Sequence, residues 1–356
     1  MAVRSFLSRI SGVEALRTWT RQQFNAQSRE LHQIVSKLDA TGASSSSAKT
    51  EIRRLDKKLR GMRDVRTDVA ALQERITLLE QVITTTDRLA PRFVTSPFDL
   101  AEVAAHAYAA ITTASLLTDP SPHIVVDQVF PPDYYSYLRD TLPPPASFTG
   151  TNPTKVNFDF GDPRMVSPFT RVAWGQFEQI VIEQSVHAAL RERFNAVIPA
   201  HYEAIFGAEL APTAISLPTV TRGRLLLRRP GYEQRPHFDP KRVLLTGILY
   251  MALPDDPPQY GTSLYRLDRP VVQPVMHTFY PETADYTCTF AKHVEYRANR
   301  LFAFINSGAT HGAKLPADAS LLERYAYQFY VKPRGAGLAR LVKQLPVEQQ
   351  GAWEGL

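Results

Sequence analysis

Four runs rich in β-branched and aromatic residues stand out in the C-terminal half: Thr221 to Arg228, Val243 to Met251, Leu301 to Ile305 and Arg324 to Val331. Each is short and bounded by Gly, Pro or Asp, which predicts strands. His237-Phe238-Asp239 lies at the junction of the first two, after Arg229-Pro-Gly231; His311 follows the end of the third, 72 residues after Asp239; Arg324 opens the fourth. Two histidines and one carboxylate are the ligand set that holds Fe(II) on one face and leaves the remaining positions open for a co-substrate and O2. Ligands at strand ends sit on a framework stiff enough to fix metal geometry.

Singly, each residue has a plainer reading. A lone His-x-Asp is common by chance, Asp239-Pro240 alone reads as a turn, and Arg324 alone reads as a solvated or salt-bridged strand residue. The elements in this order, each at a strand boundary, favour a metal site. His123, His187, His201, His277 and His293 lack such support and read as structural or surface residues.

With those residues in place, roughly 122 to 332 resembles the Fe(II)/2-oxoglutarate dioxygenases, in their prolyl-4-hydroxylase-like branch. His123-Ile-Val-Val-Asp-Gln-Val-Phe-Pro-Pro132 is similar to the family's opening strand and proline-marked first helix, Arg229-Pro-Gly231 to its tight turn, and Gly261-Thr-Ser-Leu-Tyr265 to its next strand. Asn306-Ser-Gly-Ala-Thr-His311-Gly resembles the segment around the distal ligand. The resemblance implies a double-stranded β-helix (jelly-roll) buttressed by helices, with His237, Asp239 and His311 as Fe(II) ligands. It implies that Arg324 holds the far carboxylate of 2-oxoglutarate through a bidentate fork, with Tyr250 and Thr246 on the same co-substrate. Asp239 implies hydroxylation, because related halogenases lack the carboxylate so that chloride can take its place. Two departures follow. Arg228 or Arg229 replaces the family's tyrosine before the turn, implying a different grip on 2-oxoglutarate or a more anionic substrate, and the His311 to Arg324 spacing of 13 implies an added loop over Gly312 to Leu322.

At 356 residues, with 44% apolar content, two or three domains are expected. No run approaches the roughly 18 to 20 apolar residues of a membrane span, and the start, Met1-Ala-Val-Arg-Ser-Phe-Leu-Ser-Arg9, is too polar for a signal peptide. A single cysteine, Cys288, excludes an intrachain disulfide and predicts a reducing, cytoplasmic setting, which keeps iron ferrous. Residues 1 to 95 hold 17 Lys and Arg against 10 Asp and Glu, and the remainder 24 against 25, so the net +6 belongs to the N-terminal part. Acids interspersed among those bases favour a solvated helix face over a nucleic-acid or lipid surface.

Apolar residues at Ile52, Leu55, Leu59, Met62, Val65, Val69, Leu72, Ile76, Leu79 and Ile83 step by 3 and 4 with one phase slip. That is a heptad seam and predicts a homo-oligomeric coiled coil within a 1–95 stalk. A helix over Val13 to Leu38 precedes it, separated by the Ser-rich Thr41 to Ser47. The expected oxygenase domain is 96–340, with a helical lead-in over 96–215, a β-helix core over 216–340 and a tail over 341–356. In the lead-in, Pro97 to Leu117, Pro131 to Leu142 and Gln176 to Phe206 read as helices, and the Pro-rich Leu142 to Pro145 and Pro254 to Pro258 as loops rimming the pocket. On the first strand Arg222, Arg224 and Arg228 share one face. That face either lines the pocket or lies in solvent while Leu225 and Leu227 fill the core. Expected substrates are small, anionic or glycan-related molecules. A prolyl-type protein hydroxylase recruited through the coiled coil, and a non-catalytic scaffold with a binding barrel, are the alternatives.

Overall fold

A computed structural model describes residues 98–160 and 168–354; the expected stalk over 1–95, including the Ile52 to Ile83 seam, lies outside them. Helix α1 (Leu100–Thr113) starts at Asp99, whose carboxylate accepts from the Ala101 amide at 2.8 Å. It buries Val103, Ala107 and Ile111, spaced four apart as one helical stripe requires. Strand β1 (His123–Val126) and helix α2 (Pro132–Asp140) follow, the latter with proline where a missing N–H costs nothing. Next come β2 (Thr149–Asn152) and β3 (Lys155–Phe158).

Helix α3 (Pro168–Gln176) runs through π-helical turns over Phe177–Val186 into α4 (His187–Arg193), and α5 spans Ile198–Ser216. The single pattern expected over Gln176 to Phe206 is therefore broken after Arg193. It resumes at Ile198 and kinks at Gly207, whose non-helical φ of 78° only glycine adopts at low cost.

Eight strands complete the fold: β4 (Thr219–Arg228), β5 (Tyr232–His237), β6 (Leu245–Tyr250), β7 (Thr262–Leu267), β8 (Cys288–Val294), β9 (Arg300–Ile305), β10 (Thr310–Leu315) and β11 (Arg324–Pro333). They lie in two antiparallel sheets, ordered β1-β9-β6-β11-β4-β3-β2 and β5-β10-β7-β8. From β4 to β11 the chain alternates between the sheets except at the β7–β8 pair, which is the double-stranded β-helix arrangement expected. Residues Gly312–Leu315, expected in a loop, belong to β10; the connection to β11 covers 316–323.

Because side chains alternate along a strand, the larger sheet divides its residues between two cores. Leu225, Leu227, Leu249, Leu301, Ile305, Tyr327 and Phe329 face the helical layer, where Tyr327 meets the Phe177 ring at 5.1 Å and Trp174 at 5.8 Å. Leu226, Ile248, Tyr250, Phe302 and Phe304 pack with Tyr232, Leu264, Val294 and Leu315 of the smaller sheet. Helices α6 (Gly335–Val342) and α7 (Val347–Gln350) close the chain. Leu338, Leu341, Leu345 and Trp353 are buried, with Trp353 stacked on Phe206 at 5.2 Å, so the segment expected as a tail packs into the helical core. Among the described residues no helix is long and apolar enough to cross a membrane.

Candidate metal centre

Strand pairing brings the distant histidines together. β5 ends at His237, β10 carries His311 as its second residue, and the two are direct cross-strand partners with ring centroids 4.2 Å apart. Gly312 lets β10 bulge here, since a Cβ would lie 2.7 Å from the Gln234 carbonyl oxygen. In His237-Phe238-Asp239 the alternation sends Phe238 into a fully buried site while its neighbours meet. The Phe238 amide donates to Phe279 O at 2.8 Å, and the Asp239 carbonyl accepts from Gln273 Nε2 at 2.6 Å and Asn306 Nδ2 at 3.1 Å, which fixes the turn. His237, Asp239 and His311 each offer a ligand atom within 4.8 Å of the others, and all three are buried.

The donor set fits a divalent metal. Nδ1 of His237 bonds the Arg235 carbonyl at 2.9 Å and Nδ1 of His311 bonds the Ala309 carbonyl at 3.0 Å. A carbonyl only accepts, so both protons are assigned to Nδ1 and each Nε2 lone pair is left for a metal. Burial, reinforced by His311, pushes the His237 pKa down to about 3, keeping the imidazole neutral as ligation requires. Asp239 Oδ2 accepts from Thr246 Oγ1 at 2.6 Å and Oδ1 from the Tyr330 hydroxyl at 3.0 Å, so each oxygen is held by one hydroxyl. Burial, then the Asp239 charge, raises the Tyr330 pKa well above its usual value, and the phenol stays a donor.

Beside the cluster lies a cavity of about 100 Å³ whose wall includes Lys155, Arg224, Arg228 and Arg324 together with His237, Asp239 and His311. Among the described residues Asp239 is the only acid on it. Arg324 is buried. Its guanidinium donates to the carbonyls of Tyr260 and Gly261 and lies over the Tyr250 and Tyr296 rings at 5.5 and 5.2 Å. Arg228 sits opposite Arg324 across β4 and β11, donates to Val156 O at 2.7 Å and Asn157 Oδ1 at 3.0 Å, and covers the Tyr232 ring at 5.0 Å.

Two residues expected on 2-oxoglutarate have other partners. Thr246 gives its hydroxyl to Asp239, and Tyr250 is fully buried, donating to Thr262 Oγ1 at 2.7 Å; Thr262, rather than Tyr250, reaches the cavity wall. The alternatives for the β4 arginines resolve residue by residue: Arg224 and Arg228 line the cavity, Leu225 and Leu227 fill the opposite core, and the exposed Arg222 faces Asp159 at 3.7 Å. The Pro-rich loops expected at the rim contribute nothing to this wall. Sequence reasoning missed Tyr330, Gln328 and Lys155. The first two were within reach, because period-2 counting from Arg324 puts both on its face of the strand.

No protein-family model matches the sequence, and no curated protein matches it. Among solved structures the chain is similar to a prolyl-4-hydroxylase from Pseudomonas putida, at 16% identity and TM-score 0.37 over 65% of this chain and 99% of that one. It is also similar to HygX from Streptomyces hygroscopicus with nickel, 2-oxoglutarate and hygromycin B bound, at 13% identity and TM-score 0.37 over 65% and 87%. A prolyl hydroxylase from Trichoplax adhaerens, in complex with a hypoxia inducible factor peptide, matches at 13% identity and TM-score 0.36 over 68% and 93%. At TM-scores of this size the chemistry has to be argued from the site itself.

Proposed function

We propose that this chain is an Fe(II)- and 2-oxoglutarate-dependent dioxygenase that hydroxylates a small molecule. The observation that carries the reading is the buried His237, Asp239, His311 cluster opening onto a cavity that also presents Arg324. When bound, Fe(II) with 2-oxoglutarate and O2 supplies the oxidising chemistry: one oxygen atom converts 2-oxoglutarate to succinate and CO2, and the other enters a C–H bond of the substrate.

The protein's own residues do the rest. His237 and His311, each with its Nε2 free, and the Asp239 carboxylate would hold the metal. Thr246 and Tyr330 fix the carboxylate's rotation and spread its charge. Arg324, braced by two carbonyls and two aromatic rings, offers a fixed cation for the carboxylate of 2-oxoglutarate remote from the metal. Arg228, in the same row, adds positive potential to that end. Asp239 occupies the position a halide would need, so hydroxylation is the expected outcome.

The test is substrate-free turnover. The Fe(II)-loaded protein should release succinate slowly from 2-oxoglutarate, and His237→Ala and His311→Ala should each abolish this. A folded protein that binds metal but never releases succinate would fit a binding scaffold instead.

A further inference from the structure

The inward residues of the larger sheet form rows across β6, β11 and β4. Thr246 pairs with Tyr330, both on Asp239; next come Ile248, Gln328 and Arg224, then Tyr250, Ala326 and Leu226, and last Arg324 with Arg228. Cations therefore occupy two separate places. Arg224 lies one row from the metal, and Arg324 with Arg228 lie two rows further, roughly 13 Å along the strand.

Four cations meet one carboxylate in this cavity. Among the described residues none of Lys155, Arg224, Arg228 and Arg324 is in an ion pair, whereas the exposed Arg222 and Arg266 and the half-buried Arg229 all are. Like charges gathered in a part-buried wall are costly unless an anion joins them. Arg224, and Lys155, whose backbone lies in the Arg228 row and whose ammonium reaches across to β5, are held by amides instead. Arg224 donates to Gln328 Oε1 at 3.0 and 3.4 Å, and Lys155 reaches from β3 to Gln234 Oε1 at 2.5 Å on β5, the strand that ends in His237. Gln234 is itself fixed by donating to the Tyr280 hydroxyl at 2.7 Å. A neutral amide orients a cation without cancelling its charge.

On the oxygenase reading, which this inference rests on, one carboxylate of 2-oxoglutarate goes to the metal and the other to Arg324. That leaves Arg224 and Lys155 uncompensated. We propose that Arg224 and Lys155 form a second oxyanion subsite beside the metal, which takes a phosphate or carboxylate carried by the substrate and so holds the carbon to be hydroxylated over the iron. Arg224 lies one row from Tyr330, whose hydroxyl holds Asp239, so the subsite adjoins the group that supports the metal ligand. A neutral sugar or a plain apolar chain would leave this pair unmatched.

The experiment uses the full chain loaded with Mn(II), which prevents turnover, and reads calorimetric affinity and thermal unfolding. Inorganic phosphate is titrated with 2-oxoglutarate already saturating, and acetate in a parallel arm; the tighter anion identifies the substrate group. Phosphate or acetate should bind without displacing 2-oxoglutarate. Arg224→Gln and Lys155→Gln should each weaken that anion by at least about fivefold, as losing a charge-assisted hydrogen bond does, and Arg224→Lys should restore part of it. Strict competition with 2-oxoglutarate, unchanged anion affinity in both Gln variants, or an Arg224→Gln protein that loses 2-oxoglutarate as severely as Arg324→Ala would each overturn the proposal. If Mn(II) protein binds no 2-oxoglutarate, the oxygenase reading fails. The same two variants titrated with phosphate alone then still decide the subsite.

Discussion

On β11, Tyr325, Tyr327, Phe329 and Val331 turn toward the helices, while Arg324, Gln328 and Tyr330 turn toward the smaller sheet and its two histidines. β4 divides the same way, with Leu225 and Leu227 on one side and Arg224 and Arg228 on the other. The helix-facing side is nearly all aromatic and aliphatic; the other mixes cations, amides and hydroxyls into an apolar rim. One sheet thus carries its stability on one face and its chemistry on the other. A strand can do both because neighbouring side chains never share a face. Substitutions on the two faces should have separable effects.

The largest expected effect is on the packed face. Phe329 is fully buried, with Tyr327 beside it, so Phe329→Ala should cost about 3 to 5 kcal/mol of stability. Denaturant titration measures this, and the remaining folded fraction should bind metal as before. If metal affinity falls with stability, the faces are coupled.

Next are the hydroxyls on Asp239. Thr246→Val and Tyr330→Phe keep the shape but remove one donor each, and each should weaken metal binding by roughly 10- to 100-fold while leaving the unfolding midpoint close to that of the parent. Unaltered metal affinity in both would mean the carboxylate needs no such support. Arg324→Ala should spare the metal and weaken 2-oxoglutarate at least about tenfold, from the loss of two charge-assisted hydrogen bonds. Equilibrium binding to Mn(II) protein checks it.

The smallest effect comes from a titratable group within the packed layer. Burial raises the Glu178 pKa from 4.5 to about 7, although the Tyr327 hydroxyl donates to it at 2.9 Å. A carboxyl whose folded pKa is raised binds its proton more tightly in the native state. Its contribution is therefore largest below pH 4.5 and declines as pH rises to about 7. Stability should fall by on the order of 1 to 2 kcal/mol across that window, discounted for partial exposure, and Glu178→Gln should flatten the slope. An identical pH profile in the variant would assign the slope to other groups.

The sequence disclosed these faces unevenly. β6 and β9 announce themselves because both their faces are buried, giving near-continuous apolar runs such as Leu301-Phe-Ala-Phe-Ile305, and β4 and β11 through the aliphatic and aromatic residues of their helix-facing side. The smaller sheet is hidden. Tyr232-Glu-Gln-Arg-Pro-His237 and Thr310-His-Gly-Ala-Lys-Leu315 carry charges, a proline and a glycine that depress strand propensity, and pairing between them decides their state. The meeting of His237, Asp239 and His311 was legible because their residue types and order are chemically specific. The partners of Thr246 and Tyr250 were not, since which hydroxyl meets which oxygen depends on strand register. Lys155 was invisible for a similar reason: it comes from β3, a strand of four residues next to a loop, and only the β3–β4 pairing carries it to the cavity.

Anaerobic titration of the full chain with Fe(II), alone and with 2-oxoglutarate, tests the central claim most directly when run beside Asp239→Ala. The account predicts one Fe(II) per chain and 2-oxoglutarate binding that depends on the metal, with both lost in Asp239→Ala while its fold persists. An Asp239→Ala protein that binds Fe(II) as tightly as its parent would contradict the assignment of His237, Asp239 and His311 as the metal centre.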